Sequence, residues 1–283
     1  MNLENPRVTV RMSAYNHEAY VEEAIRSIIN QTYQDFELLV VDDGSSDSTP
    51  EILERLCEEY GFNLTIQENQ GLTVNLNLLN DRAKGEYITG CASDDYWPEG
   101  RLAEQVAYMD AHPSCDYLHG DFQRVTENGE LLELKHTKKP VEGKAEFIPL
   151  LMRKRRFSAP SAMIRKSTWD GVGHYDETIA VEDFDWMLRA VRVCEVHHLS
   201  KIWAYYRKHG ENWTMTTTGA SRLADSSYMV AKKLGVVWGS VFLFFKSRYM
   251  YQCEKKIGRK RRFIFAVGSV LVYLFISRNR HHS

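Results

Sequence analysis

The stretch Phe36-Glu37-Leu38-Leu39-Val40-Val41-Asp42-Asp43-Gly44-Ser45 decides how the chain is read. Residues 36–41 are aromatic, β-branched and nearly continuous in apolar character, the pattern of a strand covered on both faces. The run stops abruptly at two carboxylates and a turn, so Asp42 and Asp43 fall at the strand's carboxyl end. In open α/β sheets that edge binds ligands, because the strands stop there and the loops diverge to leave a crevice. A carboxylate here also suits helix capping, with Ser45, Asp47, Ser48 and Thr49 competing for the role ahead of Pro50. One cap suffices for one helix, so a pair of aspartates points beyond capping.

Upstream, residues 8–12 predict a first strand, and residues 13–17 a turn. Val21, Ala24, Ile25, Ile28 and Ile29 then recur at helical spacing up to about Gln31. Strand, helix and second strand make one βαβ unit. Downstream, a helix over 50–60, a short strand over 63–67, a helix over 72–82 and a fourth strand from Gly85 to Thr89 follow. That strand too ends in an acid pair, Asp94-Asp95 after Ser93. Parallel strands ending in acid pairs aim both at one crevice, where an anionic ligand needs a cation between it and them. Beyond Trp97-Pro98 the pattern predicts a helix over 101–111, a strand over 116–126 turning at residues 127–130, and a mobile polar loop over 135–144. A short apolar strand over 161–164, a helix over 182–193 and a last strand over 202–206 complete the reading.

The length of 283 residues allows one large α/β domain with an appendage, and 43% hydrophobic with 26% charged residues excludes wholesale disorder. The net charge of −2 hides an asymmetry: from Leu234 onward ten Lys or Arg face one acid, Glu254. Five scattered cysteines without a CxxC spacing predict reduced thiols and neither a disulfide framework nor a zinc site. No basic start and apolar run opens the chain, so no secretory signal is expected.

Five motifs occur in order: Ser13-Ala14-Tyr15-Asn16, Val41-Asp42-Asp43-Gly44-Ser45-Ser46-Asp47, Gly85-Glu86-Tyr87-Ile88 followed by Ser93-Asp94-Asp95, Val181-Glu182-Asp183-Phe184-Asp185-Trp186, and Tyr206-Arg207-Lys208-His209. Their order and spacing over about residues 8–214 resemble family 2 glycosyltransferases. The resemblance implies a GT-A fold, a mostly parallel α/β sheet flanked by helices. It implies an inverting enzyme that moves a sugar from a UDP-sugar to a glycan or lipid-linked acceptor, in surface polysaccharide, O-antigen, capsule or lipopolysaccharide assembly. Carried over by it, Ser13, Ala14, Tyr15 and Asn16 frame the nucleotide and Asp43 accepts a hydrogen bond from uracil. Asp95, with Asp94 beside it toward the nucleotide, is the metal-binding acid of a DxD motif for Mn2+ or Mg2+. Hard oxygen ligands suit either ion. Asp183 matches the general base, His209 a third metal ligand, and Glu182 and Trp97 lie where acceptor or donor sugar is contacted. Asp185, two residues beyond Asp183, is expected on the opposite helix face. Two positions depart from the family's pattern: Ala92 replaces a further Asp, and Leu76 stands where many members carry Arg.

The expected domains are a catalytic part, 1–218, with a nucleotide-sugar half (1–105) and an acceptor half (106–218), then a helical tail, 219–283. The tail's apolar runs, 236–245 and 263–276, are shorter than the roughly 20 residues that span a bilayer. With the basic block 255–262 between them they predict helices lying on an anionic membrane surface, which puts the protein at the cytoplasmic inner face of the membrane. A helix pair docked on the catalytic part is the other reading of the tail. Nucleic acid is not an expected partner, since the block lacks any binding motif. A dinucleotide oxidoreductase is disfavoured because residues 13–16 contain no Gly. A non-catalytic nucleotide-sugar-binding module of the same fold is the alternative function.

Overall fold

The structure, a computed structural model, describes residues 4–132, 158–179, 182–210 and 212. The loop expected over 135–144, the tail over 219–283 and its membrane-facing runs lie outside the described residues. Two compact units divide the chain: residues 1–175 with 189–208, and residues 176–188 with 209–283.

The first unit carries the sheet. Among the described residues it has seven strands, β1 (Val8–Ala14), β2 (Phe36–Asp42), β3 (Asn63–Ile66), β4 (Tyr87–Gly90), β5 (Tyr117–Thr126), β6 (Met163–Arg165) and β7 (Val196–Lys208), in the order β3-β2-β1-β4-β6-β5-β7. β6 runs antiparallel to β4 and β5, and every other pairing is parallel. The helices are α1 (Val21–Ile29), α2 (Thr49–Tyr60), α3 (Leu72–Arg82), α4 (Arg101–Ala111), α5 (Lys166–Val172) and α6 (Glu182–Ala190).

β2 is apolar at Phe36 and from Leu38 to Val41 because it is buried on both sides. Phe36, Leu38 and Val40 join Val8, Val10 and Met12 of β1 and the inner faces of α1 and α2 in the main core. Leu39 and Val41 point the other way, onto Leu79 of α3. Burying each of these side chains is worth about 2 kcal/mol, so the alternation holds a helix layer on either face. Glu37 interrupts the run without harm: its Oε1 accepts the Thr9 hydroxyl at 2.6 Å and the Lys84 amide at 2.7 Å.

Several expected bounds move. α1 ends at Ile29, not near Gln31, whose side chain instead accepts the Leu102 amide at 3.0 Å and donates to the Pro98 carbonyl. α6 stops at Ala190. The last strand begins at Val196 rather than at 202, because its first half is His-rich and carries no alternation to read. The turn after β5 is present, with Thr126 donating to the Glu130 carbonyl, but its return is a single bridge from Leu131 to Val125. Within β5 the backbone approaches β7 so closely that a Cβ on Gly120 would stand 2.5 Å from the Lys201 carbonyl oxygen.

Arg101 ties this frame together. It is fully buried under the Trp97 ring at 3.8 Å and donates to the carbonyls of Pro160, Trp203 and Ala162 and to the Thr89 hydroxyl. Burial pulls its guanidinium down to about 9, still cationic at neutral pH. Arg101→Met would fill the volume and remove the donor to the Pro160 and Trp203 carbonyls and to the Thr89 hydroxyl, while the Ala162 carbonyl keeps the Thr89 hydroxyl. It is expected to lose roughly 3 to 5 kcal/mol in urea unfolding; a loss below about 1 kcal/mol would mean that the clamp is dispensable.

His119 of β5 is also buried, 4.8 Å from the His198 ring, which in turn meets Asp121 at 3.2 Å. Burial first, and His198 second, pull His119 down from 6.5 to about 3. A depressed folded value means that the unfolded chain takes up the proton first. This stabilising contribution is therefore complete above 6.5 and fades as pH falls toward 3. The group should cost about 2 kcal/mol on going from pH 7 to pH 5. His119→Gln, whatever its own cost, should lose that difference in urea midpoints measured at the two values.

Candidate active site

Four loops leave the carboxyl edge of β1, β2, β3 and β4 and lock onto one another. Gly44 has φ +75°, and a Cβ on it would stand 2.9 Å from the Asn69 amide nitrogen, so the loops after β2 and β3 meet there only because the residue is Gly. Asn16, also left-handed at φ 53°, donates its amide to Ser45 Oγ and accepts the Ser46 amide on Oδ1. Asp42 accepts both the amide and the hydroxyl of Ser45, which makes it the local turn-holding member of its pair.

Asp43 is 3% exposed, and its two oxygens accept the amides of Gln70 at 2.7 Å and Gly71 at 3.0 Å. A uracil contact would have to use a further lone pair, since what the carboxylate fixes here is the start of α3. Ser13 accepts from the Asn75 side chain at 3.1 Å. Ala14 is fully buried, and its carbonyl takes the Asp43 amide. Of the Ser-Ala-Tyr-Asn group only Tyr15, 48% exposed, presents a large side chain outward.

The second acid pair divides just as sharply. Asp95 is buried, accepting the Arg207 amide at 2.9 Å, and burial followed by the Asp94 charge pushes its carboxyl well above the usual carboxylate range. Asp94 is half-buried, and one of its oxygens lies within 4.8 Å of a ring nitrogen of His17, on the loop after β1. Of the two, Asp94 is the one whose carboxylate stands beside a second group of a type able to bind a cation. A buried acid holding a backbone amide is turned toward the frame.

Arg207, unassigned from sequence beyond its motif, is what holds this turn. Its Nε donates to the Asp94 carbonyl, its guanidinium reaches the Glu127 carbonyl and Glu23, and it lies over the rings of Tyr20 and Tyr96 at 5.1 and 5.3 Å. Its hydrogen-bond partners lie 80 to 184 residues away along the chain, a signal no local pattern carries. His17 was legible only as a titratable residue beside the first motif.

Trp97 is a correction. At 4% exposure, with its ring against Arg101, it is a core residue and offers no face to a sugar.

In the second unit, Glu182 and Asp183 open α6, both half-buried, and Asp183 Oδ1 accepts the Phe184 amide at 2.7 Å. Asp185 is fully buried. His209 follows β7 directly, is 8% exposed, and donates its amide to Asn212 Oδ1 at 2.8 Å.

A seven-stranded mixed sheet with loops converging on acids at its carboxyl edge is the architecture of a GT-A nucleotide-sugar fold. Solved structures of that fold superpose on nearly the whole chain. Staphylococcus aureus TarS 1-349 in complex with UDP-GlcNAc gives a TM-score of 0.61 at 19% identity, covering 97% of this chain and 91% of that one. The mannosyltransferase PcManGT from Pyrobaculum calidifontis, in complex with GDP-Man and Mn2+, gives 0.61 at 18% identity, covering 95% and 81%. The Glycosyl transferase family 2 profile matches residues 9–170, and the chain belongs to that family. Its relatives include a Bacillus subtilis (strain 168) protein named as the teichuronic acid biosynthesis glycosyltransferase TuaG, 30% identical over 130 residues, 45% of this chain and 51% of that protein. An uncharacterized glycosyltransferase of Haemophilus influenzae is 31% identical over 142 residues, 48% of this chain and 55% of that protein. The chain thus spans about half the length of these curated relatives. Among the described residues no helix is long and apolar enough to cross a membrane, and Cys57, Cys91, Cys115 and Cys194 are free thiols.

Proposed function

We propose that this protein is an inverting glycosyltransferase that moves a sugar from a UDP-sugar to a hydroxyl of a glycan or lipid-linked saccharide in surface polysaccharide assembly. The observation that carries the reading is the juxtaposition of the Asp94 carboxylate and a His17 ring nitrogen at the sheet's carboxyl edge, in a family 2 chain. TarS bound to UDP-GlcNAc and TuaG's name for teichuronic acid biosynthesis support the donor and product classes.

In this reading Tyr15 stacks on the uracil, and Ser13, Asn16 and Asp43 hold the loops that shape its pocket. Asp94 is the carboxylate toward Mn2+ or Mg2+, a mixed donor set with His17 fitting a divalent ion. His209 is the further ligand that the resemblance to the family implies. A cation bound there supplies Lewis acidity to the leaving diphosphate. Asp183 takes the proton of the acceptor hydroxyl as that oxygen attacks the anomeric carbon opposite the leaving group, which inverts it. Glu182 orients the acceptor beside it. The basic tail docks on an anionic membrane surface, where lipid-linked acceptors reside.

The test is UDP release from a panel of UDP-sugars with and without a membrane extract as acceptor. Turnover that needs acceptor and is lost in EDTA is the expected result. Tight UDP binding without turnover of any donor would favour the non-catalytic module, to which Ala92 in place of a family aspartate points.

A further inference from the structure

We infer that His17 is a cation ligand through Nε2, so that the site pairs imidazole nitrogen with carboxylate oxygen and discriminates against Mg2+. This rests on the reading of Asp94 as a ligand to a divalent ion.

Three observations lead there. The His17 backbone is fixed, its amide donating to Thr49 Oγ1 at 2.9 Å, at the start of α2. Its ring is fixed as well: Nδ1 meets Ser93 Oγ at 2.7 Å. Ser93, 2% exposed, also has the Ser13 carbonyl within reach of its hydroxyl at 3.3 Å. In the tautomer in which that hydroxyl donates to the carbonyl, Ser93 Oγ accepts from the imidazole, so Nδ1 carries the ring proton and Nε2 keeps its lone pair, and it is this tautomer that the inference takes. That is the arrangement of metal-binding histidines, whose second nitrogen donates to an acceptor that sets tautomer and ring plane. The third observation is the ring's neighbour, the Asp94 carboxylate within 4.8 Å.

The sequence gives this ligand a reason. Ala92, two residues before Asp94, is exposed and offers no donor atom. A nitrogen from the loop after β1 makes up the donor count and changes its character. Mg2+ prefers an all-oxygen shell, whereas affinity at mixed nitrogen and oxygen sites rises along Mn2+, Fe2+, Co2+.

The experiment is a titration of the full chain with Mn2+, Co2+ and Mg2+, each alone, by calorimetry and, for Co2+, by its visible spectrum. The wild-type protein should bind Co2+ more tightly than Mn2+, and Mg2+ weakest. His17→Ala should weaken Co2+ and Mn2+ by about tenfold to a hundredfold, leave Mg2+ nearly unchanged, and alter the Co2+ spectrum. Ser93→Ala, which keeps the imidazole and frees its tautomer, should weaken Co2+ by about tenfold. It decides the matter if His17→Ala does not fold. Unchanged Co2+ and Mn2+ affinities in the variants, with Asp94→Asn still abolishing binding, would overturn the role of His17 while sparing the cation site. Equal binding by wild type and Asp94→Asn would remove the site itself and this inference with it.

Discussion

Asp183→Asn should fold, bind UDP as the parent does, and lose transfer by about a hundredfold to ten-thousandfold. The amide keeps the carboxylate's shape and can still accept the Phe184 amide that Asp183 Oδ1 accepts at 2.7 Å. It cannot take a proton. The loss should appear in kcat with UDP affinity unchanged, because the removed interaction belongs to the transition state. A matched control is not available at Asp185: that residue is fully buried, and its substitution tests folding. The control is instead the urea midpoint of Asp183→Asn itself. A large drop in stability alongside the activity loss would assign Asp183 to the helix start, where acids favour the dipole. The product's anomeric configuration is a separate check, since one base opposite the leaving group requires inversion. A product that retains the donor's configuration would exclude this role.

The second large effect is expected at Asp94. Asp94→Asn should lose Mn2+-dependent UDP binding and cut transfer about a thousandfold, roughly 4 kcal/mol of transition-state stabilisation. Asp95→Asn provides the contrast, because an Asn oxygen can still accept the Arg207 amide at the place where Asp95 Oδ1 does at 2.9 Å. Its buried carboxyl is already pushed toward the neutral form, so a neutral amide changes less there. Mn2+ affinity should therefore fall further in Asp94→Asn than in Asp95→Asn. The reverse order would show that Asp95 turns outward on binding and is the ligand after all.

The sequence by itself determined the class of fold and the edge at which the chemistry sits. A nearly continuous apolar run is satisfied by burial on both faces, and β2 has helices on both sides for that reason. A strand that stops at acids and a turn delivers those acids to the carboxyl edge whatever surrounds them, so the pairs 42–43 and 94–95 were legible at once. What could not be read is which member of each pair faces the crevice. Adjacent residues in a turn point in different directions, and the choice is made by distant partners, Arg207 for Asp95 and Gln70 and Gly71 for Asp43, while Ser45 holds Asp42 locally. Trp97 was misread for the same reason, since an aromatic beside a motif is ambiguous until Arg101 closes over it. The tautomer of His17 depends on Ser13 and Ser93, one from each of two strand ends that only the parallel pairing of β1 with β4 brings side by side. Periodicity records how a residue meets its own element; the direction of a functional side chain is set by hydrogen bonds to residues far along the chain, and those exist only once the sheet has formed.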